Sequence, residues 1–376
     1  MPDNINIVFI CSSLEQGHDG VGDYTRRLSA ALIKAGHSCA ILSVSDRHTE
    51  NILESTQQAD GVDVPVLRLS SDIEIKKRFE IAKEWVDKID PQWLSLQFVP
   101  FGYHPKGLKL GLSKMLLTLS KGRRWHMMFH ELWVGMANEE SKKLHLWGQA
   151  QRILIKSLIK NLKPAVIHTQ TRLYQTLLAK MSFKAGYLPL YSNIPVVGSQ
   201  SGERAAEGEI SFVVFGAIHD KAPIQQFAKE AAQYADKFKR PLTLTIIGRG
   251  NNEQQRWAGA WAEAGLPVNR LGELPARQIS EVLSGATIGL SATALAVIEK
   301  SGSYAAMREH GLHVISVSKA WTPTGVAKPA IPEGVTEYTI GNLEECIADS
   351  KFIPYGSSVE QVSAKFARAL INLKAE

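Results

Sequence analysis

The residues best placed to do chemistry fall in a few short stretches. In SSLEQGHDGVGDYTRRL, Gly17, Gly20 and Gly22 stand between an apolar run and a helical pattern. Glycines there let the main chain close on an anion, and the first amides of the following helix, at Gly20, Val21 and Gly22, direct partial positive charge toward it. The plain steric demand of a strand-to-helix turn explains the same glycines, and the spacing is not G-x-G-x-x-G, so the nicotinamide fingerprint is not met. Ser301, Gly302 and Ser303 precede a second helical stretch, where their N–H groups suit a diphosphate or, alternatively, the serines act as ordinary N-caps. Lys221 stands five residues past the apolar run ISFVVFG and two before Pro223, placed either for a phosphate or for solvent.

His130 directly follows the apolar run His126–Phe129, where a strand-end histidine either serves a ligand or is a hydrogen-bonded core group. With Glu131 beside it the order is H-x-x-x-H-E, not the H-E-x-x-H of zinc enzymes, so no metal site is expected. No two aspartates occur at D-x-D spacing either. Cys11, Cys39 and Cys346 are too few and too scattered for a disulfide framework or a cysteine metal cluster, which makes a reducing, cytoplasmic setting the default.

Two runs of alternating elements must position these residues. Ile5–Cys11, Ala40–Val44, Trp93–Phe98, His126–Phe129 and Ala165–His168 read as strands, with a helix after the first glycine loop carrying Tyr24, Leu28, Ala31 and Leu32 on one face and ending at Gly36. Around 192–209 the apolar period lapses into small and polar residues, as in a linker. It then restarts: Ile210–Gly216, Leu242–Gly248, Ala286–Ser291 and His313–Val317 are strands, and Pro223 opens a helix running to Phe238. The expectation is an α/β protein of two Rossmann-like, doubly wound domains (1–196 and 197–356) facing a cleft, followed by a helical segment (357–376) packing back on the N-terminal domain.

The 376 residues suffice for that organisation, and 44% hydrophobic with 21% charged residues is ordinary for a folded globular chain. The start MPDNINIVFICSS lacks the basic-then-apolar pattern of a signal peptide, and no run of about 18 apolar residues could span a bilayer. The net charge of +6 is uneven: 101–184 holds 15 Lys and Arg against 3 acids, whereas 197–376 is near neutral with 18 basic and 19 acidic groups. Segment 101–184 is therefore suited to an anionic acceptor or an anionic membrane surface, with Arg152–Lys163 placing lysines beside apolar residues, or is simply a set of solvated helix faces. No nucleic-acid-binding module accompanies the charge.

The opening strand with GVGDYTRRLSAALIKAGHSCAIL resembles the start of two-domain GT-B glycosyltransferases, in particular the GT4-like group. LSLQFVPFGYHPKG and MMFHELW are similar to that family's later strand ends. ISFVVFGAIHDKAP, LTLTIIGRGNN, LGELPARQISEVLSGATIGLSATA and IEKSGSYAAMREHG are similar to its donor-binding half. The resemblance implies a transferase that moves a sugar from a nucleotide sugar to a glycan, lipid-linked or otherwise anionic acceptor, retaining configuration and needing neither metal nor cofactor. It makes His130 and Glu299 the catalytic pair beside the donor sugar and Lys221 the diphosphate lysine. Two positions depart from the family pattern. Its diphosphate arginine is here Ala217, leaving Arg249 or His219 to supply positive charge, and its ribose glutamate is here Ala306 or Met307, with Glu309 one turn off. Those departures keep two other readings open: a non-catalytic scaffold or partner subunit, and a sugar-nucleotide epimerase. The expected location is cytoplasmic, free or peripheral at the inner membrane face.

Overall fold

The computed structural model describes residues 4–197, 208–351, 355 and 357–374. The chain divides into two compact units. The first comprises 1–189 with 324–326 and 359–376, and the second 190–323 with 327–358.

The first unit is built on eight strands: β1 (Asn6–Cys11), β2 (Ser38–Asp46), β3 (Ile52–Ala59), β4 (Val62–Ser70), β5 (Trp93–Phe98), β6 (Arg124–Phe129), β7 (Val166–Thr169) and β8 (Gly186–Tyr187). Their order across the sheet is β3-β4-β2-β1-β5-β6-β7-β8. All pairings are parallel except β3 with β4, an antiparallel hairpin. That hairpin is absent from the sequence reading, although Asp60 (φ 48°) and Gly61 (φ 77°) form the Asp-Gly turn whose twist matches a two-residue hairpin. The central strands are apolar on both faces because helices cover both, as parallel sheets require.

The Gly20–Lys34 helix buries Tyr24, Leu28, Ala31 and Leu32, the face its spacing predicts. The C-terminal Val359–Ile371 helix belongs to this same unit and drives Phe366 against Phe9, with ring centroids 5.7 Å apart.

The second unit carries β9 (Ile210–Phe215), β10 (Leu242–Ile247), β11 (Val268–Gly272), β12 (Ile288–Ser291), β13 (His313–Ser316) and β14 (Val335–Glu337). They run parallel in the order β11-β10-β9-β12-β13-β14, the doubly wound 3-2-1-4-5-6 arrangement. Its core packs Phe212, Phe227, Trp257 and Trp261, all fully buried, against the Ile224–Phe238 and Asn252–Glu263 helices. In each sheet the order reverses beside the first strand, at β1/β5 and at β9/β12. Ligands of such folds bind outside the carboxyl ends of the strands at that reversal.

Candidate active site

In the first unit the loop leaving β1 is pinned by a buried ion pair. Asp46, at the end of β2, accepts from Arg68 Nε (2.8 Å), from Ser13 Oγ (3.3 Å) and from the Leu14 amide (3.1 Å). Burial pushes the Asp46 carboxyl up, but the hydrogen bond from Arg68, the His48 amide and the Arg68 charge outweigh it, so its pKa lies below the ordinary value. Arg68 also reaches Glu15 (2.6 Å), and Arg26 donates to the Leu14 carbonyl (2.7 Å). The loop is thus held from both sides.

That loop leads to Asp19, the N-cap of the Gly20–Lys34 helix, whose Oδ1 accepts from the amides of Val21 (2.9 Å) and Gly22 (3.0 Å). Two of the amides offered to an anion from sequence are therefore engaged by a carboxylate. Burial raises the Asp19 pKa, with the two amide bonds opposing it. Gly22 has a steric reason of its own: a Cβ there would lie 3.0 Å from the Ser13 carbonyl oxygen and 3.2 Å from Leu14 Cα, while one at Gly20 would meet nothing within 4 Å.

His130 follows β6 and is buried at 6% exposure, its imidazole edge-on to the Tyr24 ring at 4.9 Å. The structure thus brings His130 together with the first turn of the Gly20–Lys34 helix. His130 Nε2 lies 2.9 Å from Gln97 Oε1, and burial lowers its pKa to about 4, against a smaller opposing effect of the Gln170 side chain. It is a neutral imidazole at pH 7. Gln170, just past β7, keeps a buried side-chain Nε2 without a hydrogen-bond partner. His126, weighed above only as a metal ligand, instead bonds Ser95 Oγ (2.7 Å) and His168 (3.0 Å). Among the described residues no cluster of three or more His, Cys, Asp or Glu is arranged to hold a metal ion.

In the second unit the glycines ending the two central strands are packed together. Gly216 has φ +86° and Gly248 φ +132°, backbone that side chains rarely adopt, and a Cβ on Gly248 would lie 3.2 Å from the Gly216 carbonyl oxygen. On its other side Gly216 faces Ser303, whose Cβ is 3.6 Å from where a Gly216 Cβ would stand. Ser303 belongs to the first turn of the Gly302–Glu309 helix, capped by Ser301 Oγ, which accepts from the Tyr304 amide (3.3 Å) and contacts Ser303 Oγ (3.0 Å). Serine capping and a turn facing the strand-end glycine occur together here. Glu299 is buried in the preceding short 3-10 helix, Leu295–Lys300.

Lys221 is exposed, with φ +66°, in the loop after β9. Arg249 is exposed and ion-paired with exposed Glu273. His219, the alternative source of positive charge, is exposed, and its pKa is lowered by desolvation and further by the nearby charges of Lys300 and Lys319. Those two lysines are cations that sequence comparison with the family pattern overlooks, because neither stands at the family's arginine position. Ala306 and Met307, one or the other of which the resemblance sets at the ribose-acid position, are both fully buried in the core. Glu309 accepts from the Ser192 amide (2.5 Å), tying down the chain that enters this unit.

No family model matches the sequence, and no curated protein matches it. Solved structures do match over nearly the whole chain. An α,α-trehalose 6-phosphate synthase from Burkholderia multivorans superposes with a TM-score of 0.59 at 9% identity, covering 99% of this chain and 98% of its own. A glycosyltransferase from Rickettsia africae gives 0.55 at 10% identity, covering 98% and 94%. Anabaena HepE, solved in complex with UDP and glucose, gives 0.58 at 14% identity, covering 98% and 100%. The fold class is therefore the α/β, two-Rossmann class that GT-B glycosyltransferases share.

Proposed function

We propose that this chain is a glycosyltransferase that moves a sugar from a nucleoside diphosphate donor to an acceptor hydroxyl, with retention and without a metal ion. The observation that carries the reading is the cradle at the carboxyl edge of the second sheet, where Gly216, Gly248 and the Ser301–Ser303 turn meet at the order reversal. Main-chain amides at a helix start, with glycines that let a ligand approach, form an anion site. When the bond from the anomeric carbon to the diphosphate breaks, negative charge builds on the leaving phosphate, and fixed donors there favour the transition state. Lys221, Lys300, Lys319 and Arg249 supply the cations in place of the family's arginine. Arg249 can exchange Glu273 for phosphate cheaply, since an exposed pair contributes only about 0–1 kcal/mol.

Glu299 sits beside the donor sugar in this reading, and His130 orients a sugar hydroxyl from a water-poor site. The first loop, with Asp19 already on the Val21 and Gly22 amides, suits a neutral hydroxyl better than a phosphate. Segment 101–184 is the acceptor side. On its Lys142–Leu162 helix Leu146 (75% exposed) and Ile153 (69%) lie two turns apart on one face, amid exposed Lys142, Lys143, Lys156 and Lys160. Apolar side chains among lysines suit the surface of an anionic membrane bearing a lipid-linked acceptor. Among the described residues no helix is long and apolar enough to cross a membrane.

A non-catalytic scaffold is favoured by one observation, the buried Ala306 and Met307 where the family's ribose acid belongs. A thermal-shift panel of nucleoside diphosphates and their sugars, followed by donor turnover with and without acceptor, separates the readings. Stabilisation with acceptor-dependent turnover supports the transferase. Isomerisation or hydrolysis alone points to an epimerase, binding without turnover to a scaffold, and no stabilisation by any nucleotide refutes donor binding. Pelleting with vesicles irrespective of anionic lipid content refutes the membrane assignment.

A further inference from the structure

Across the face of the first sheet that carries Phe366 runs an unbroken chain of buried polar groups. His130 Nε2 meets Gln97 Oε1 (2.9 Å), Gln97 Nε2 donates to Ser95 Oγ (2.8 Å), Ser95 Oγ meets His126 Nδ1 (2.7 Å), and His126 Nε2 meets His168 Nδ1 (3.0 Å). Strand register builds it. Ser95 and Gln97 are alternate residues of β5, Ser95 pairs directly with His126 of β6, and His168 of β7 is two residues beyond the partner of His126. Every member is at most 6% exposed, and Phe366 closes the chain from above, edge-on to His126 at 4.9 Å. Buried polar groups are costly unless each is satisfied, so such a row under a helix is not there for packing alone.

The placement of the Gln97 amide sets the direction of the chain at His130. Gln97 donates through its amide nitrogen to Ser95, which turns its oxygen to His130, and a ring nitrogen facing that oxygen must carry the proton. Ser95, having accepted from Gln97, still has a hydrogen to give to His126 Nδ1, and with that bond made His126 is protonated at Nε2 and donates to His168 Nδ1. We propose that Gln97, Ser95, His126 and His168 are positioning residues that lock His130 in its Nε2–H form, leaving Nδ1 unprotonated. The locked tautomer stands apart from the glycosyltransferase reading. Burial that disfavours the charged forms of His130, His126 and His168 agrees with a chain of neutral rings.

The test is a nitrogen-15 spectrum of the histidine side chains in the full-length protein at neutral pH, with His130 assigned from a His130→Gln variant. His130 is expected to show a protonated Nε2 and a bare Nδ1. In Ser95→Ala the Gln97 amide loses its acceptor and is free to turn its NH2 toward His130, so at least half of the His130 population should move to the Nδ1–H form. Ser95→Thr, which restores the hydroxyl, should return it. A bare Nε2 on His130 in the unsubstituted protein overturns the proposal. An unchanged tautomer in folded Ser95→Ala overturns it as well. Should the tautomers behave as stated while no nucleotide sugar binds, the transferase reading fails and the lock stands.

Discussion

Acidification should loosen the first unit in a pH window set by its buried histidines. Burial, and for His168 the charge of Lys365 on the C-terminal helix, holds His130 and His168 at about 4. Their unfolded value is about 6.5, so the folded state takes up these protons later than the unfolded chain does. The stabilisation is complete above pH 6.5 and is lost as the pH falls toward 4. Each such group contributes a slope of about 1.4 kcal/mol per pH unit, hence about 3 kcal/mol by pH 4, a large share of the roughly 5–15 kcal/mol that keeps a domain folded. His168→Asn keeps an acceptor for His126 Nε2 without titrating, so its stability curve should be flatter by about one proton across this window. Asp46, whose pKa is lowered from 3.8, sheds its contribution only below that value and does not interfere. Urea unfolding at half-unit steps from pH 7.5 to 4, with proton uptake on unfolding measured in parallel, reads both slopes. Parallel curves for the two proteins would show that His168 is not buried as a neutral ring and would refute the reasoning.

Gly22→Ala should destabilise by about 1–3 kcal/mol, because its Cβ presses on the backbone of Ser13 and Leu14, whereas Gly20→Ala opens into free space and should leave the melting temperature unchanged. Asp46→Ala strands the buried Arg68 guanidinium with only half-exposed Glu15 and should cost about 3 kcal/mol or more in urea unfolding; a change below 1 kcal/mol would mean the loop is not held this way. Lys300→Ala and Arg249→Ala should each weaken binding of a nucleoside diphosphate about tenfold by calorimetry, the loss expected for one charge-assisted hydrogen bond of about 1.5 kcal/mol, while His219→Ala should bind normally. Equal affinity for all three variants would place the phosphates elsewhere.

The fold was legible because a buried parallel strand writes itself as a short apolar run and a covering helix as a 3.6-residue period; Trp93–Phe98 and Leu242–Ile247 are plain on that basis. The Ile52–Ser70 hairpin is hard to read because β3 is half exposed and polar, so its alternation is faint, and only Asp60-Gly61 marks it. Asp19 was legible in principle, because an aspartate directly before a helical period is a cap signature, but the glycines beside it carry the stronger local signal. Asp46 with Arg68, and Ser95 with His126, were out of reach. They are 22 and 31 residues apart and meet only through strand order and register, which no local spacing encodes.

The two sheets reverse order at equivalent places, yet the groups gathered there differ in a way that suits them to different ligands. At the edge of the second sheet stand strained glycines, a capped helix start and the cations Lys221, Lys300 and Lys319, a set that lowers the energy of an anion and does little for a neutral hydroxyl. At the edge of the first sheet a carboxylate already occupies the helix amides, and the His130 imidazole is kept from charging by burial. A diphosphate placed there would face Asp19 and find no charge on His130. A sugar hydroxyl meets neither objection. It can donate to a neutral ring nitrogen and accept from Gln170, whose buried amide nitrogen has no other partner. The proposed division of labour between phosphate and hydroxyl rests on charge and burial in each unit taken separately.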